Sequence, residues 1–192
     1  MSQGSATRYP LVLVPGMLGF IRLLLYPYWY GIIPALRRGG ARVIAVQVSP
    51  VNSNEVRGEE LLLQIQSILR ETGADKVNLI GHSQGSLTAR YAAAKRPDLV
   101  ASVTSVAGPN HGSELADYLH RHYPPESAKG RFLSGVLNVV AWLMGLLETG
   151  HHVRKWPVDV HASHNSLTSA GVALFNQHYP QGLPETWGGQ GA

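Results

Sequence analysis

The chain has 192 residues, enough for one domain with a hydrophobic core. Hydrophobic residues make up 44% and charged residues 15%, which argues against intrinsic disorder. The net charge is +4 and the basic residues form no long run, so we expect a solvated surface and no nucleic-acid partner. There is no cysteine, which excludes disulfides and thiol chemistry. Residues 1–8 lack the apolar stretch of a signal peptide.

The first half of the chain alternates between predicted strands and predicted helices. Short apolar or β-branched runs predict strands at residues 11–14, 42–48, 77–80 and 100–106. Helices are predicted at residues 33–38, over an amphipathic segment that follows a loop at 50–54 and ends at Gly73, and over a segment that ends before Pro97. This order predicts an α/β fold, with a mostly parallel sheet and helices on both faces.

Three turns follow the carboxyl ends of predicted strands, namely residues 15–20, Ser83 and residues 107–112. The carboxyl ends of parallel strands share one edge of a sheet, where such folds bind their ligands. We therefore expect these three turns to converge on one site.

The turn at Ser83 carries the pattern G-x-S-x-G, at residues 81–85, between a predicted strand and a predicted helix. This is the arrangement of a nucleophile elbow, in which a tight turn exposes the serine hydroxyl and small neighbours let the helix approach the strand. The pattern predicts that Ser83 is a catalytic nucleophile. The alternative is a strand–helix turn without chemistry.

Two apolar segments allow two interpretations each. Tyr28 and Trp29, in an aromatic segment, belong either to the core beneath a loop or to the wall of an apolar substrate pocket. Residues 131–150 are apolar on most of their circumference but too short and interrupted for a membrane span of about 20 residues. They form either a buried helix or a lid over a lipophilic site. Further helices are predicted at residues 114–122 and 168–178.

Several motifs together resemble the bacterial true lipases of the Pseudomonas, Burkholderia and Proteus type. The motifs are Val-Pro-Gly-Met-Leu-Gly-Phe at residues 14–20, Tyr-Trp-Tyr-Gly-Ile at 28–32, Ser-Asn-Glu-Val-Arg-Gly at 53–58, the elbow strand and elbow at 77–85, Asn-His-Gly-Ser at 110–113 and Tyr-Pro-Gln-Gly-Leu-Pro at 179–184. The resemblance implies one α/β-hydrolase domain over residues 1–192. It also implies secretion and the hydrolysis of triacylglycerols and other carboxylic esters at a lipid interface.

The resemblance implies roles for individual residues as well. Ser83 is the nucleophile, and the backbone N–H groups of Met17 and Gln84 form the oxyanion hole. The resemblance favours a helical lid, over about residues 113–165. The lid and the substrate pocket are expected to include Leu18, Tyr28, Trp29, Val136, Val140 and Leu143.

Three departures from the family pattern bear on activity. Pro15 stands where the family has histidine, so we expect the fixed φ of proline to hold the oxyanion loop. The absence of cysteine favours the disulfide-free, Proteus-like branch. The last strands, the triad acid, the triad histidine and the structural calcium site of the family all fall beyond residue 192. We therefore expect no metal or cofactor in this chain, almost no turnover by residues 1–192 alone, and an exposed sheet edge able to pair with a C-terminal part.

The chain offers few replacements for the two triad members. The candidate acids and histidines are Asp98, Asp117, Asp159, His111, His120, His122, His161, His164 and His178, and none of them follows a convincing core strand. No acid or thiol set accompanies His161 and His164 as a metal pair. The alternatives to a lipase are a truncated or degenerate, non-catalytic module that binds a lipid or a partner, and an esterase for polyesters or short-chain esters.

Overall fold

The computed structural model describes residues 4–19, 22–23, 26–124, 126–147 and 159–183. The strands are β1 (Leu11–Val14), β2 (Arg22–Leu23), β3 (Tyr26–Pro27), β4 (Val43–Ala45), β5 (Val77–His82) and β6 (Val100–Val106). The helices are α1 (Ile32–Arg38), α2 (Asn54–Thr72), α3 (Gln84–Lys95), α4 (Glu114–His122), α5 (Ala128–Leu147), α6 (Val160–Asn165) and α7 (Ser169–His178).

Four of these strands form a parallel sheet in the order β4-β1-β5-β6. The predicted α/β architecture is therefore confirmed. The short antiparallel pair of β2 and β3 was not predicted. At the outer edge of the sheet, β6 is exposed along most of its length.

Strand β4 is shorter than the strand that the β-branched sequence predicts at residues 42–48. Beyond β4, the backbone groups of Gln47 and Ser49 no longer pair with a neighbouring strand but with side chains of α2. Gln64 bonds both the N–H and the carbonyl oxygen of Gln47, and the Glu60 carboxylate accepts from the N–H of Ser49 at 2.6 Å. These side chains take the place of a strand partner, and the ladder therefore ends early.

The hydrophobic core lies on both faces of the sheet. On one face, Val12, Val14 and Leu79 pack in a cluster with apolar side chains of α2, α3 and α7. On the other face, Leu11 and Leu13 pack with Trp29, Val43 and side chains of α1. Helices on both faces are thus confirmed, and the alternation of side chains along β1 divides them between the two layers.

Helix α2 begins well before its apolar pattern. Ser53 caps the helix by accepting from the N–H of Val56 at 3.3 Å. In the first turn the buried side chains are polar, those of Asn54 and Arg57. Hydrophobic periodicity cannot detect a buried face made of polar groups, so the start of α2 was missed.

The second half of the described chain is helical. Helix α5 covers most of the apolar segment predicted at 131–150, whose last three residues lie outside the described part. Its Gly130 is buried against the backbone of Pro124, whereas Phe132 is 75% exposed. Among the described helices, none has the length and hydrophobicity needed to cross a membrane.

Candidate active site

Ser83 lies at the junction of β5 and α3 in an unusual backbone conformation. Its φ is 53° and its ψ is −128°, in a region that residues with a side chain rarely occupy. The neighbouring elements hold it there, because its N–H donates to the carbonyl oxygen of Val106 on β6 at 2.9 Å. In addition, its own carbonyl oxygen accepts from the N–H of Ser86 at 3.0 Å. This is the sharp strand-to-helix turn that the G-x-S-x-G pattern predicts.

The glycines around Ser83 allow a close approach between backbones. A Cβ on Gly81 would lie 2.6 Å from the carbonyl carbon of Gly85, and one on Gly85 would lie 2.6 Å from the carbonyl oxygen of Pro15. A Cβ on Gly16 would be 2.9 Å from the Cβ of Ser83. No side chain fits at these positions, so the loop after β1 lies directly against the elbow.

The backbone N–H groups of Met17 and Gln84 are available to bind an oxyanion. In the loop after β1, the N–H of Leu18 donates to Pro50 and that of Gly19 to Gly16. The N–H of Met17 donates to none of the residues that the structure describes. The same holds for Gln84, the first residue of α3, whose N–H has no partner within the helix. Two backbone donors without a partner among the described residues therefore lie on either side of Ser83.

The side chain of Gln84 ties the elbow to the start of α2. It is fully buried, and its Nε2 donates to the carbonyl oxygen of Asn52 at 2.9 Å and to Oδ1 of Asn54 at 3.2 Å. Asn54 in turn donates from Nδ2 to the carbonyl oxygen of Ser166, after α6. Oε1 of Gln84 is buried without a partner among the described residues.

The aromatic segment contacts both the oxyanion loop and the elbow. The hydroxyl of Tyr28 accepts from the N–H of Gly16 at 3.2 Å and lies 2.6 Å from Nδ1 of His82. Trp29 is buried in the core cluster of β1 and α1. Trp29 thus lies where the core interpretation expects it, and Tyr28 lies beside the site. The ring of His82 bonds to Tyr28, not to Ser83.

Arg57 belongs to the motif at residues 53–58, which predicts no role for its side chain. Its fully buried guanidinium donates to the carbonyl oxygens of Pro15 at 2.6 Å and Gly16 at 3.2 Å. We expected the fixed φ of Pro15 to hold this loop; the structure adds hydrogen bonds from Arg57 and Tyr28. The available signal was an arginine three residues after Asn54, which places both side chains on one face of α2.

A small cavity of about 70 Å³ opens beside Met17, beneath α5. It is lined by Met17, Val51, Leu119, Tyr123, Gly130, Leu133, Ser134, Leu137, Val160, His161, Ser163 and Leu167. The predicted pocket residue Leu18 packs nearby, in a cluster with Val51 and Val160. The predicted lid residues do not line this cavity: Val136 and Leu143 are 43% and 44% exposed, and Val140 is partly buried.

None of the candidate acids and histidines is hydrogen-bonded to Ser83 in the described part of the chain. Asp98 pairs with Arg96 at 2.7 Å, Asp117 accepts from Ser169, and Asp159 caps α6 through the N–H of Ala162. Nδ1 of His122 and of His178 lies within hydrogen-bond distance of a carbonyl oxygen in its own helix. His161 lines the cavity, His111 and His120 each have an interaction partner, and the side chain of His164 lies outside the described residues.

The described side chains also contain no cluster of three or more histidines and carboxylates that could hold a metal ion. The site therefore consists of a strained serine, two backbone donors and a network of buried polar side chains. Such an arrangement can stabilise a tetrahedral oxyanion formed on the serine.

Comparison with known proteins relates this geometry to characterised folds. The family model for the α/β hydrolase fold matches residues 9–180. A triacylglycerol lipase from Pseudomonas fragi is 49% identical over 100% of this chain and 64% of its own length. One from Vibrio cholerae is 47% identical over 97% of this chain and 59% of its own. The chain thus spans less than two thirds of the length of these relatives.

The fold is also similar to that of a Bacillus licheniformis lipase, whose crystal structure superposes with a TM-score of 0.61. That match covers 94% of this chain and 62% of the lipase, at 19% sequence identity. At this identity the similarity concerns the fold alone.

Proposed function

Since the chain belongs to the α/β hydrolase fold family, we propose that it carries the nucleophile and oxyanion hole of a lipase. The substrates of this lipase are triacylglycerols and other carboxylic esters. The observation that carries the proposal is the strained conformation of Ser83 between two backbone donors that have no partner in the described part of the chain. Strain of this kind persists where the surrounding structure imposes it, and it is common at active sites. The lipase relatives support the choice of ester substrate.

In the proposed reaction, Oγ of Ser83 attacks the carbonyl carbon of the ester, and the carbonyl oxygen becomes an oxyanion bound by Met17 and Gln84. The C–O bond to the alcohol then breaks, leaving an acyl group on Ser83, and water hydrolyses this intermediate. A general base takes the Ser83 proton and returns it to the leaving alkoxide. Since no described side chain bonds to Oγ of Ser83, the proposal assigns this base to none of them.

We further propose that α5 acts as a lid. The cavity of about 70 Å³ beneath it is far smaller than the roughly 300–1,000 Å³ of sites that enclose a ligand. A long acyl chain does not fit into this cavity unless α5 moves away from Met17. The outer face of α5 exposes Phe132 and Trp142 at 75% and 62%, together with Val136, Val139 and Leu143. Such a face suits contact with a lipid surface.

The proposal also includes two predictions from the sequence. One is that the substrate pocket includes Leu18, Tyr28, Trp29 and Val140, and the other is that the protein is secreted. Leu18 and Tyr28 lie close to the cavity and the elbow respectively, which supports a role in substrate contact. Trp29 would act from within the core by supporting Tyr28, whose ring centroid lies 5.1 Å from its own.

Hydrolysis by the full-length protein tests the proposal. Emulsified tributyrin and dissolved p-nitrophenyl butyrate are the substrates, and Ser83→Ala is compared with Ser102→Ala, which changes an exposed serine on β6. We expect Ser83→Ala to lower kcat by up to about 10⁶-fold and Ser102→Ala to retain it. Turnover of the dissolved ester alone would indicate a short-chain esterase. Equal turnover by Ser83→Ala and the unaltered protein would refute the assignment.

A further inference from the structure

Arg57 is a buried cation with every part of its guanidinium bonded. None of its surface is exposed, and this burial lowers its pKa to about 10, which still leaves it charged at neutral pH. Its Nε donates to Oγ1 of Thr88 at 3.2 Å, Nη1 donates to the carbonyl oxygen of Ser49, and Nη2 donates to Pro15 and Gly16. Burying a charge costs free energy of folding unless the charge is fully hydrogen-bonded. The partners of Arg57 therefore indicate a functional role for its buried position.

The two carbonyl groups that Nη2 contacts belong to the peptide units on either side of Gly16. A peptide unit is planar, so a hydrogen bond that fixes its oxygen also fixes its N–H, which points the opposite way. The unit of Pro15 and Gly16 is held at both ends, by Arg57 and by the Tyr28 hydroxyl. The unit of Gly16 and Met17 is held at its oxygen by Arg57 and Gly19, whereas its other end, the Met17 N–H, has no partner among the residues that the structure describes.

We propose that Arg57 is a positioning residue for the oxyanion hole, which fixes and polarises the Gly16–Met17 peptide so that the Met17 N–H points at the developing oxyanion. A cation on the carbonyl oxygen draws electron density from the peptide and makes its N–H a stronger donor. The inference rests on the proposed function, because it assumes that a tetrahedral intermediate forms on Ser83.

The same guanidinium also reaches the helix that carries the second donor. Thr88, which accepts from Nε of Arg57, donates from its hydroxyl to the carbonyl oxygen of Gln84 at 3.2 Å. Arg57 therefore links the loop of Met17 to the first turn of α3. The loop that carries one oxyanion donor and the helical turn that carries the other are thus bonded, directly or through Thr88, to one rigid, planar group.

The chain contains a matched control in Arg90. It is likewise buried, and burial lowers its pKa to about 10 as well. Like Arg57, it donates to backbone carbonyl oxygens, those of Gln181 and Tyr179, and to one side chain, that of Asn176. These partners lie at the end of α7, so Arg90 shares the structural properties of Arg57 without contacting the oxyanion loop.

The test compares Arg57→Met, Arg57→Lys and Arg90→Met in the full-length protein, with steady-state kinetics and inhibition by a trifluoromethyl ketone, whose adduct with serine mimics the oxyanion. We expect Arg57→Met to lower kcat about 10- to 100-fold with little change in KM, below the 10²–10³-fold loss for deleting a donor. Affinity for the ketone should fall by the same factor. Arg57→Lys should be intermediate, and Arg90→Met should lose thermal stability while retaining kcat.

Two results would overturn the inference. Parallel losses of stability and kcat in Arg57→Met and Arg90→Met would mean that both arginines are merely structural. An unchanged ratio of ketone affinity to KM in Arg57→Met would contradict the positioning role. If Arg57→Met does not fold, Arg57→Lys decides by the same ratio. Failure of the proposed function can be distinguished from failure of this inference. If the proposed function is wrong, the unaltered protein hydrolyses esters no faster than Ser83→Ala.

Discussion

Gly16 and Ser83 touch across the carboxyl ends of neighbouring parallel strands, so closely that a Cβ on Gly16 would lie 2.9 Å from that of Ser83. The two residues are 67 positions apart in the sequence. Their contact follows from the register of the sheet, in which Val14 of β1 lies opposite Gly81 of β5. The sheet thus brings the loop that carries the Met17 N–H against the serine, as expected for turns that follow adjacent strands.

The Ser83→Gly variant of the protein should be more stable than the Ser83→Ala variant. The positive φ of Ser83 costs a residue with a Cβ about 1–3 kcal/mol, whereas glycine adopts it freely. Glycine loses part of this gain, roughly 0.5–1 kcal/mol, through the entropy of the unfolded chain. We expect Ser83→Gly to unfold with a free energy about 1 kcal/mol higher than Ser83→Ala in urea. Equal stability of the two variants would mean that the elbow is not strained.

Gly85 should not tolerate a side chain, whereas Gly135 should. A Cβ on Gly85 would meet backbone oxygens of the loop after β1, so Gly85→Ala should destabilise the protein by about 1–3 kcal/mol. On α5, a Cβ on Gly135 meets nothing within 4 Å. Gly135→Ala should therefore stabilise the helix by about 0.5–1 kcal/mol. Thermal unfolding measures both, and a stable Gly85→Ala variant would contradict the close packing of loop and elbow.

Asp117 should make the protein less stable to unfolding as the pH falls into the acid range. It accepts hydrogen bonds from Oγ and the backbone N–H of Ser169, at 2.5 and 2.9 Å, which hold its pKa below the ordinary 3.8. The lowered pKa means that the stabilisation is complete above the unfolded pKa. It is lost as the pH falls through the folded pKa.

Asp117→Asn should therefore unfold more easily at neutral pH and lose less stability than the unaltered protein between about pH 5 and pH 3. Ser169→Ala, which removes the hydroxyl donor, should weaken the pH dependence in the same direction. Urea unfolding at several pH values measures the slope. An unchanged slope in both variants would show that this contact does not couple to protonation.

The exposed apolar face of α5 should be needed for the hydrolysis of emulsified substrate and not for the hydrolysis of dissolved substrate. Val136→Ser combined with Leu143→Ser removes apolar surface from this face. We expect activity on emulsified triacylglycerol to fall about tenfold, because a loss of roughly 1.4 kcal/mol in apolar transfer gives that factor. Hydrolysis of dissolved p-nitrophenyl butyrate should stay constant. Leu63→Ser, at a 57% exposed position on α2, is the matched control. Equal losses on both substrates would contradict the lid.

Local patterns in the sequence predicted the sheet, most helices and the elbow. The strands are short apolar runs, and the elbow is five consecutive residues whose small side chains have a steric reason. The network behind the site was beyond reach, because it depends on pairs distant in sequence. Arg57 bonds residues 41 and 42 positions away, and Tyr28 bonds His82 across 54 positions. Buried polar contacts of this kind leave no periodic signal, and only the fold brings them together.

Covalent labelling of Ser83 tests the central claim most directly. A fluorophosphonate probe reacts when the serine oxygen displaces fluoride from phosphorus, and mass spectrometry of the digested full-length protein locates the adduct. We predict one adduct per chain, on the peptide that contains Ser83, and none in Ser83→Ala. An adduct at another residue, or labelling and ester hydrolysis that persist in Ser83→Ala, would contradict the account.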